Sequence, residues 1–237
     1  MTDSALGRLL GVLIAPVKTF ESIAARPTWA APLLVLVALT AFVSYQISQR
    51  MDFEQVVRQQ AERAEQRGNA MSPEQMDRMI EMYKKVQPFF AVLQMVVAPV
   101  IYLAMALVFW LAFRFVGGAN NFLVSFSVVL HALMPAAVAA LIAIPLLQSH
   151  GTLTAEEVER GSLLVSNLAV LAPARTGPVA LALLGSIDVF SLWTLALLAI
   201  GFRAAAKTSK AMTGAVTAVL WLLYVAGKVG FVALFRR

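Results

Sequence analysis

Cysteine is absent from the chain, and histidine occurs only twice, as His131 and His150. The missing thiols exclude disulfides, thiolate metal ligands and cysteine nucleophiles. Two histidines far apart in sequence do not supply the ligand set of a zinc or iron site. No serine–histidine–acid set, phosphate-binding loop or carboxylate pair stands out either. We therefore expect no catalytic residue, no metal and no cofactor.

Charged residues are also scarce, at 14% of the chain, whereas 60% of its residues are hydrophobic. A soluble domain has about 25% charged residues and about 45–50% apolar ones. A bilayer accommodates this composition because lipid is an apolar solvent. The net charge of +6 comes mostly from basic residues at the ends of apolar runs, where they orient spans. No arginine-rich run with interleaved aromatics is present, so nucleic-acid binding is not expected.

Five apolar segments come close to the roughly 20 residues that a helix needs to cross the hydrocarbon core. The sequence therefore predicts an all-α polytopic membrane bundle with five transmembrane helices. Between the third and fourth spans, residues 148–178 form a loop whose apolar run 162–172 is too short to cross, which favours a surface or re-entrant helix. The predicted spans are residues 29–47, 88–115, 122–147, 179–202 and 212–234.

Residues 1–28, before the first span, are predicted to form short interfacial helices. Pro16 separates the first helix from a second one, and Arg26-Pro27 ends that second helix. An amphipathic helix of this kind lies at the membrane surface or packs on the other helices, and the two interpretations are compatible. Arg8 and Lys18 flank the apolar residues at helical spacing, which are Leu6, Leu9, Leu10, Leu13, Ile14 and Val17.

Residues 49–87 carry seven basic and seven acidic side chains, a sharp change from the flanking spans. The turn 67–73 divides two apolar surfaces at helical spacing. Ser72 caps the second helix, Pro73 takes its first position and Gln75 completes a capping box. This pattern predicts an extramembrane antiparallel helical hairpin, which is either a solvated surface or a partner-binding site.

Prolines and glycines mark the predicted kinks and turns. Pro99 lies inside the second predicted span, and Pro135 and Pro145 lie inside the third. Pro135 removes a backbone donor, so the carbonyl of His131 needs another partner. Gly117-Gly118 serves the tight link between these two spans.

Asp188 and Lys228 are the ionisable side chains clearly inside apolar stretches. Their distances from the basic link between spans 4 and 5 correspond to about 22 and 27 Å of helix, so both lie at similar depth. We expect them to pair or to line a polar site, since intramembrane charges are costly and often functional. Alternatively, Asp188 occupies the first turn of its helix and Lys228 snorkels outward. His131 is either a proton relay or a helix-packing residue.

Several stretches form a recognisable pattern along the chain: Ala15–Ile23, Arg26–Trp29, Gly117-Gly118 with Phe122 and Phe126, His131–Pro135, Ile187–Trp193, Ile200–Phe202 and Ser209–Ala211. Together they resemble the bacterial branch of the Yip1 domain family, over nearly the whole chain. The resemblance implies a single five-span domain with a cytosolic N-terminus. Eukaryotic Yip1 proteins act in membrane trafficking with Rab GTPases, a system that a bacterial setting lacks, so only the fold is carried over.

Basic residues in the predicted links favour an N-terminus inside and a C-terminus outside a bacterial cytoplasmic membrane, if the charge-balanced hairpin is discounted. The leading functional hypothesis is a non-catalytic membrane protein that organises lipids or an unidentified membrane or peripheral protein, with self-association left open. The alternative is a small permease or channel subunit that uses Asp188 and Lys228. An intramembrane enzyme is a third interpretation.

Overall fold

The structure is a computed structural model that describes residues 4–66, 68–161, 163–173 and 175–235. These described residues form an all-helical fold, as the sequence predicts. Five of their helical stretches are long and apolar enough to cross a membrane. Arg67, Arg236 and Arg237, which entered the turn and charge predictions, lie outside the described residues. The helices are α1 Ala5–Ile14, α2 Pro16–Ala25, α3 Ala30–Arg50, α4 Phe53–Gln66, α5 Pro73–Val86, α6 Phe90–Phe115, α7 Phe122–Ala132, α8 Met134–Ser149, α9 Ala155–Arg160, α10 Pro178–Leu184, α11 Val189–Ala206 and α12 Lys210–Phe235.

The two ends of the bundle differ in character. The N-terminal face consists of residues 4–29 and the links 116–121 and 207–209, and the hairpin face consists of residues 51–89 and 150–188. At the N-terminal face, the Ala119 N–H donates to the Ala206 carbonyl at 3.1 Å, which ties the two links together. Gly117 adopts a φ of +83° there, as the predicted glycine turn requires.

The N-terminal helices pack into the bundle as well as presenting an apolar outer side. Val12, Phe20 and Ile23 are fully buried, and α2 lies against α7 and α11. The opposite side exposes Leu6, Leu10, Ile14 and Val17. One side of these helices therefore joins the protein core, as the packing interpretation predicts, and the location of the exposed apolar side at the membrane surface stays a prediction.

Stacked aromatic rings form the core beneath this face. Phe202 stacks on Phe109 and Phe113 with ring centroids 5.0 and 4.6 Å apart. Phe20 lies against Gly201, where a Cβ atom would come within 2.9 Å of its ring and 2.6 Å of Val128 Cγ1. Span 4 can approach α2 and α7 this closely because it has no side chain at Gly201.

The third span breaks at Leu133, between α7 and α8, where Pro135 was expected to kink it. The Leu133 N–H donates to the Val129 carbonyl at 3.1 Å and closes α7 at this break. Pro99 and Pro145 lie inside α6 and α8, and both helices continue through them.

The hairpin is present as an antiparallel pair of helices. Its arms are joined by stacked rings of Phe53 and Tyr83, 5.5 Å apart, and by a Lys84–Glu54 contact of 3.8 Å. Ser72 and Gln75 form the predicted capping box. One turn of 3₁₀ helix, Gln87–Phe89, connects the second arm to span 2. Residues 73–115 therefore form one 43-residue helical stretch.

Two segments near the hairpin face differ from the sequence prediction. Residues 178–184 form the separate helix α10, and the spanning helix of this region starts later, at Val189. Within the apolar run 162–172, the described residues form only the short 3₁₀ helix Leu168–Leu171. Asn167 caps that turn, and Val165 has a φ of +48°, a backbone conformation that ends regular helix.

Candidate functional site

The candidate polar site lies at the break between α10 and α11, residues 185–188. α10 packs along α12 and α11 packs on α12 as well, so the two helices together line span 5. α12 is 26 residues long, or about 39 Å, whereas the 18 residues of α11 cover about 27 Å. The break therefore lies about 10 Å short of the end of span 5, beside Lys228.

Asp188 is the N-cap of α11. Its Oδ1 accepts hydrogen bonds from the Phe190 and Ser191 N–H groups at 2.9 and 3.1 Å. A carboxylate in this position satisfies orphan backbone donors and complements the helix dipole. The structure thus places Asp188 in the helix-capping role that the sequence left as an alternative.

Lys228 contacts the same break through a different residue. Its Nζ donates to Ser186 Oγ at 3.1 Å, and that hydroxyl donates to the Ala182 carbonyl at 2.7 Å. Ser186 is only 5% exposed. The two intramembrane charges share one neighbourhood, but Lys228 meets the hydroxyl two residues before Asp188 and not the carboxylate itself.

Residues 166–168 cover this break, a contact that the sequence analysis did not predict. The Leu168 N–H donates to the Ile187 carbonyl and the Val189 N–H donates to the Ser166 carbonyl, both at 3.2 Å. The Asn167 side chain holds the segment in place by donating to the Arg160 carbonyl at 3.1 Å. The sequence of this segment does not alternate apolar and polar residues as a strand would, so it offers no signal for the backbone pairing.

A capping box fixes the loop above the break. The Thr154 N–H and hydroxyl both donate to Glu157 Oε2 at 2.9 Å. These hydrogen bonds, the backbone one foremost, lower the pKa of Glu157 because they stabilise its carboxylate form. His150 Nε2 lies 3.6 Å from the other carboxylate oxygen.

His131 does not belong to this site. It lies nine residues into span 3, about 14 Å from the N-terminal face, whereas Asp188 lies about 27 Å from that face. The imidazole is 1% exposed, and its Nδ1 lies 2.8 Å from the Ser127 carbonyl oxygen. A carbonyl only accepts, so Nδ1 carries the proton in this contact, which fits a packing role.

In the described part of the chain, no group of three or more histidine, aspartate or glutamate side chains gathers as a metal site. What the break offers chemically is one ammonium, one hydroxyl and one carboxylate, each already engaged in a local hydrogen bond.

Comparison with known proteins gives one positive result. The family model described as Yip1 domain matches residues 10–233, nearly the whole chain. No curated protein and no solved structure matches.

Proposed function

The chain belongs to the Yip1 domain family, and we propose that it is a non-catalytic organiser of protein partners or lipids in a bacterial cytoplasmic membrane. Its family and its five apolar helical stretches make it an integral membrane protein. The observation that carries the proposal is the hairpin, whose second arm continues as helix into span 2 and leaves apolar residues uncovered.

The uncovered residues lie on the second arm of the hairpin. Met82 and Val86 are 51% and 43% exposed, although Lys84 and Tyr83 between them contact the first arm. Phe89, 63% exposed, continues the same side towards the membrane. An apolar stripe at i, i+4 and i+7 on a charged helix is the surface against which another amphipathic helix packs.

The first prediction tests this stripe in the full-length protein, cross-linked in its native membrane and then solubilised. Met82→Asp together with Val86→Asp should reduce co-purification of the bound partner about tenfold, the effect of losing about 1.4 kcal/mol. Gln66→Asp with Asn69→Asp adds the same charge at exposed positions of the same hairpin and should leave recovery unchanged. Equal recovery with both pairs of substitutions would rule out the stripe as the binding surface.

A transport role is the second candidate, and the broken fourth span with Lys228 beside it is the observation that favours it. Broken helices with charge at the break are typical of transport sites. Asp188→Asn separates the candidates because asparagine caps a helix as well as aspartate but carries no charge. We expect no ion flux above that of protein-free liposomes from either form. Flux that Asp188→Asn abolishes would favour transport over the organising role.

The N-terminal face supports an orientation with this face in the cytoplasm. This face and the adjoining helix ends expose six basic residues but only one acidic residue among those that the structure describes, Glu21. The basic residues are Lys18, Arg26, Arg114, Arg203, Lys207 and Lys210. The hairpin, in contrast, is charge-balanced. Basic residues accumulate on the cytoplasmic side of membrane proteins, which supports an orientation with the hairpin and the C-terminus outside.

The second prediction tests that orientation, and the absence of native cysteine makes single-cysteine labelling unambiguous. In intact spheroplasts, a membrane-impermeant maleimide should label Asn69→Cys in the hairpin but not Ala119→Cys at the N-terminal face. Both positions are exposed, so both should react after lysis. The reverse pattern before lysis would invert the proposed topology.

A further inference from the structure

A groove of about 400 Å³ opens between spans 1, 2 and 3, in the half of the bundle nearer the hairpin face. It arises from the break in span 3. α7 packs closely against α6, but α8 beyond the break packs instead on α3 and α11. Spans 2 and 3 therefore diverge, with α3 between them as the floor. The lining includes Thr40 and Ser44 of α3, Gln94 of α6, and Ala139, Ala140 and Ala143 of α8.

The groove lies within the predicted spans, which places its polar side chains below the level at which spans 1 and 2 leave the hydrocarbon core. The Gln87 side chain donates to the Ser48 carbonyl at 2.8 Å, so these residues mark one level on spans 2 and 1. Gln94 is about 10 Å deeper along span 2, and Ser44 is about 6 Å deeper along span 1. Water is not available there to satisfy polar groups, so each needs a partner from the protein or from a bound molecule.

The polar side chains of the groove are only partly satisfied by the protein. Thr40 Oγ1 lies 3.4 Å from the Tyr102 hydroxyl. The Ser44 hydroxyl and the Gln94 amide make no hydrogen bond with any residue that the structure describes. An amide and a hydroxyl together offer three donor hydrogens and accepting oxygens. A molecule in the groove therefore gains hydrogen bonds that the protein does not already use.

The lining also restricts the charge of that molecule. None of the described lining residues is ionisable. A phosphate or carboxylate at this depth would lack a compensating cation and would be costly to bury. An uncharged oxygen, a hydroxyl or an ester carbonyl, needs only the hydrogen bonds that Ser44 and Gln94 can provide.

We propose that this groove binds a neutral lipid that carries a hydroxyl or carbonyl oxygen on an apolar body. Gln94 and Ser44 hydrogen-bond to the oxygen, and the alanine wall of α8 packs against the chain. The site is separate from the hairpin and from the break at Asp188. It rests on the lipid part of the proposed function, and loss of the hairpin as a partner surface would leave lipid labelling of the groove unchanged.

The third prediction uses full-length protein in phosphatidylcholine nanodiscs with a photoactivatable diacylglycerol. The probe should label peptides from spans 1–3. Gln94→Leu should reduce labelling about fivefold, the factor for about 1 kcal/mol of lost hydrogen bonding. Ala140→Phe should abolish labelling because its ring fills the groove. Leu93→Phe, a matched substitution on the neighbouring, bilayer-exposed residue, should leave labelling unchanged.

A phosphatidylglycerol carrying the same photoactive chain measures bulk lipid contact. We expect it to label the groove weakly and without dependence on Gln94. Equal labelling by both lipids, or full diacylglycerol labelling of Gln94→Leu, would overturn the proposal. Disulfide cross-linking of Gln94→Cys between copies, with no lipid labelling of the wild-type chain, would also overturn it by showing a second copy in the groove. Unchanged thermal unfolding of each variant confirms that folding is intact.

Discussion

Gly201→Leu should lower the free energy of unfolding by about 3 kcal/mol, since overpacking a tight core forces neighbouring side chains out of their rotamers. Even a Cβ atom at Gly201 would come within 2.6 Å of Val128 Cγ1 and 2.9 Å of the Phe20 ring. Val128 is short and stiff, and Phe20 is fully buried, so neither can move aside easily. Unfolding of the detergent-solubilised protein by heat or denaturant measures the loss.

Two further variants separate overpacking from a general effect of replacing glycine. Gly214→Leu should not destabilise, because nothing lies within 4 Å of its added Cβ and leucine is the better helix former. Gly201→Ala should cause a smaller loss, and Val128→Ala in the same chain should restore part of it by removing the nearest clashing atom. A loss at Gly214 equal to that at Gly201 would contradict the packing argument.

The spans and caps could be predicted because their signals are local. Apolar run length identified five spans, and Ser72 with Gln75 identified the start of α5 from four residues. Pro135 indicated the break in span 3 because proline removes a helical donor wherever it stands. These rules act over a few residues and need no knowledge of the neighbours.

The candidate sites could not be predicted to the same degree because they depend on residues far apart in sequence. Lys228 meets Ser186 across 42 positions, whereas the sequence indicated only that Lys228 and Asp188 lie at a similar depth. The separate helix α10 was missed because residues 179–184 are as apolar as the spanning helix that starts at Val189. Gln94 drew no attention, since its unsatisfied amide becomes apparent only once spans 2 and 3 are seen to diverge.

The role of Arg8 also depends on residues far apart in sequence, and its contacts are the basis of a second prediction of a large loss of stability. The sequence placed it beside an apolar stripe, as a flanking charge, yet the side chain is only 5% exposed. Its Nη1 donates to the Arg26 carbonyl at 2.7 Å and to Thr28 Oγ1 at 3.0 Å, and its Nη2 donates to Ser22 Oγ at 3.1 Å. One guanidinium therefore joins α1 to the end of α2 and to the segment that enters span 1.

Arg8→Leu should lower the free energy of unfolding by about 3 kcal/mol, because it removes three hydrogen bonds from a charged donor, which contribute more than neutral ones. We also expect α1 to detach before the spans unfold. A Val12→Cys reporter tests this in the cysteine-free background, because Val12 is fully buried while α1 is docked. Its maleimide labelling should accelerate in Arg8→Leu under conditions in which the spans remain folded.

Two control variants separate the effect of the positive charge of Arg8 from the effect of its hydrogen bonds. Lys18→Leu removes the same charge from an exposed position on α2 and should change neither stability nor labelling of Val12→Cys. Arg8→Lys keeps the charge but replaces a planar fork by a single ammonium, which cannot reach three acceptors in the same geometry. It should therefore fall between wild type and Arg8→Leu. Wild-type behaviour of Arg8→Lys would mean that the positive charge alone holds the N-terminal helices, and that the hydrogen-bond geometry is secondary.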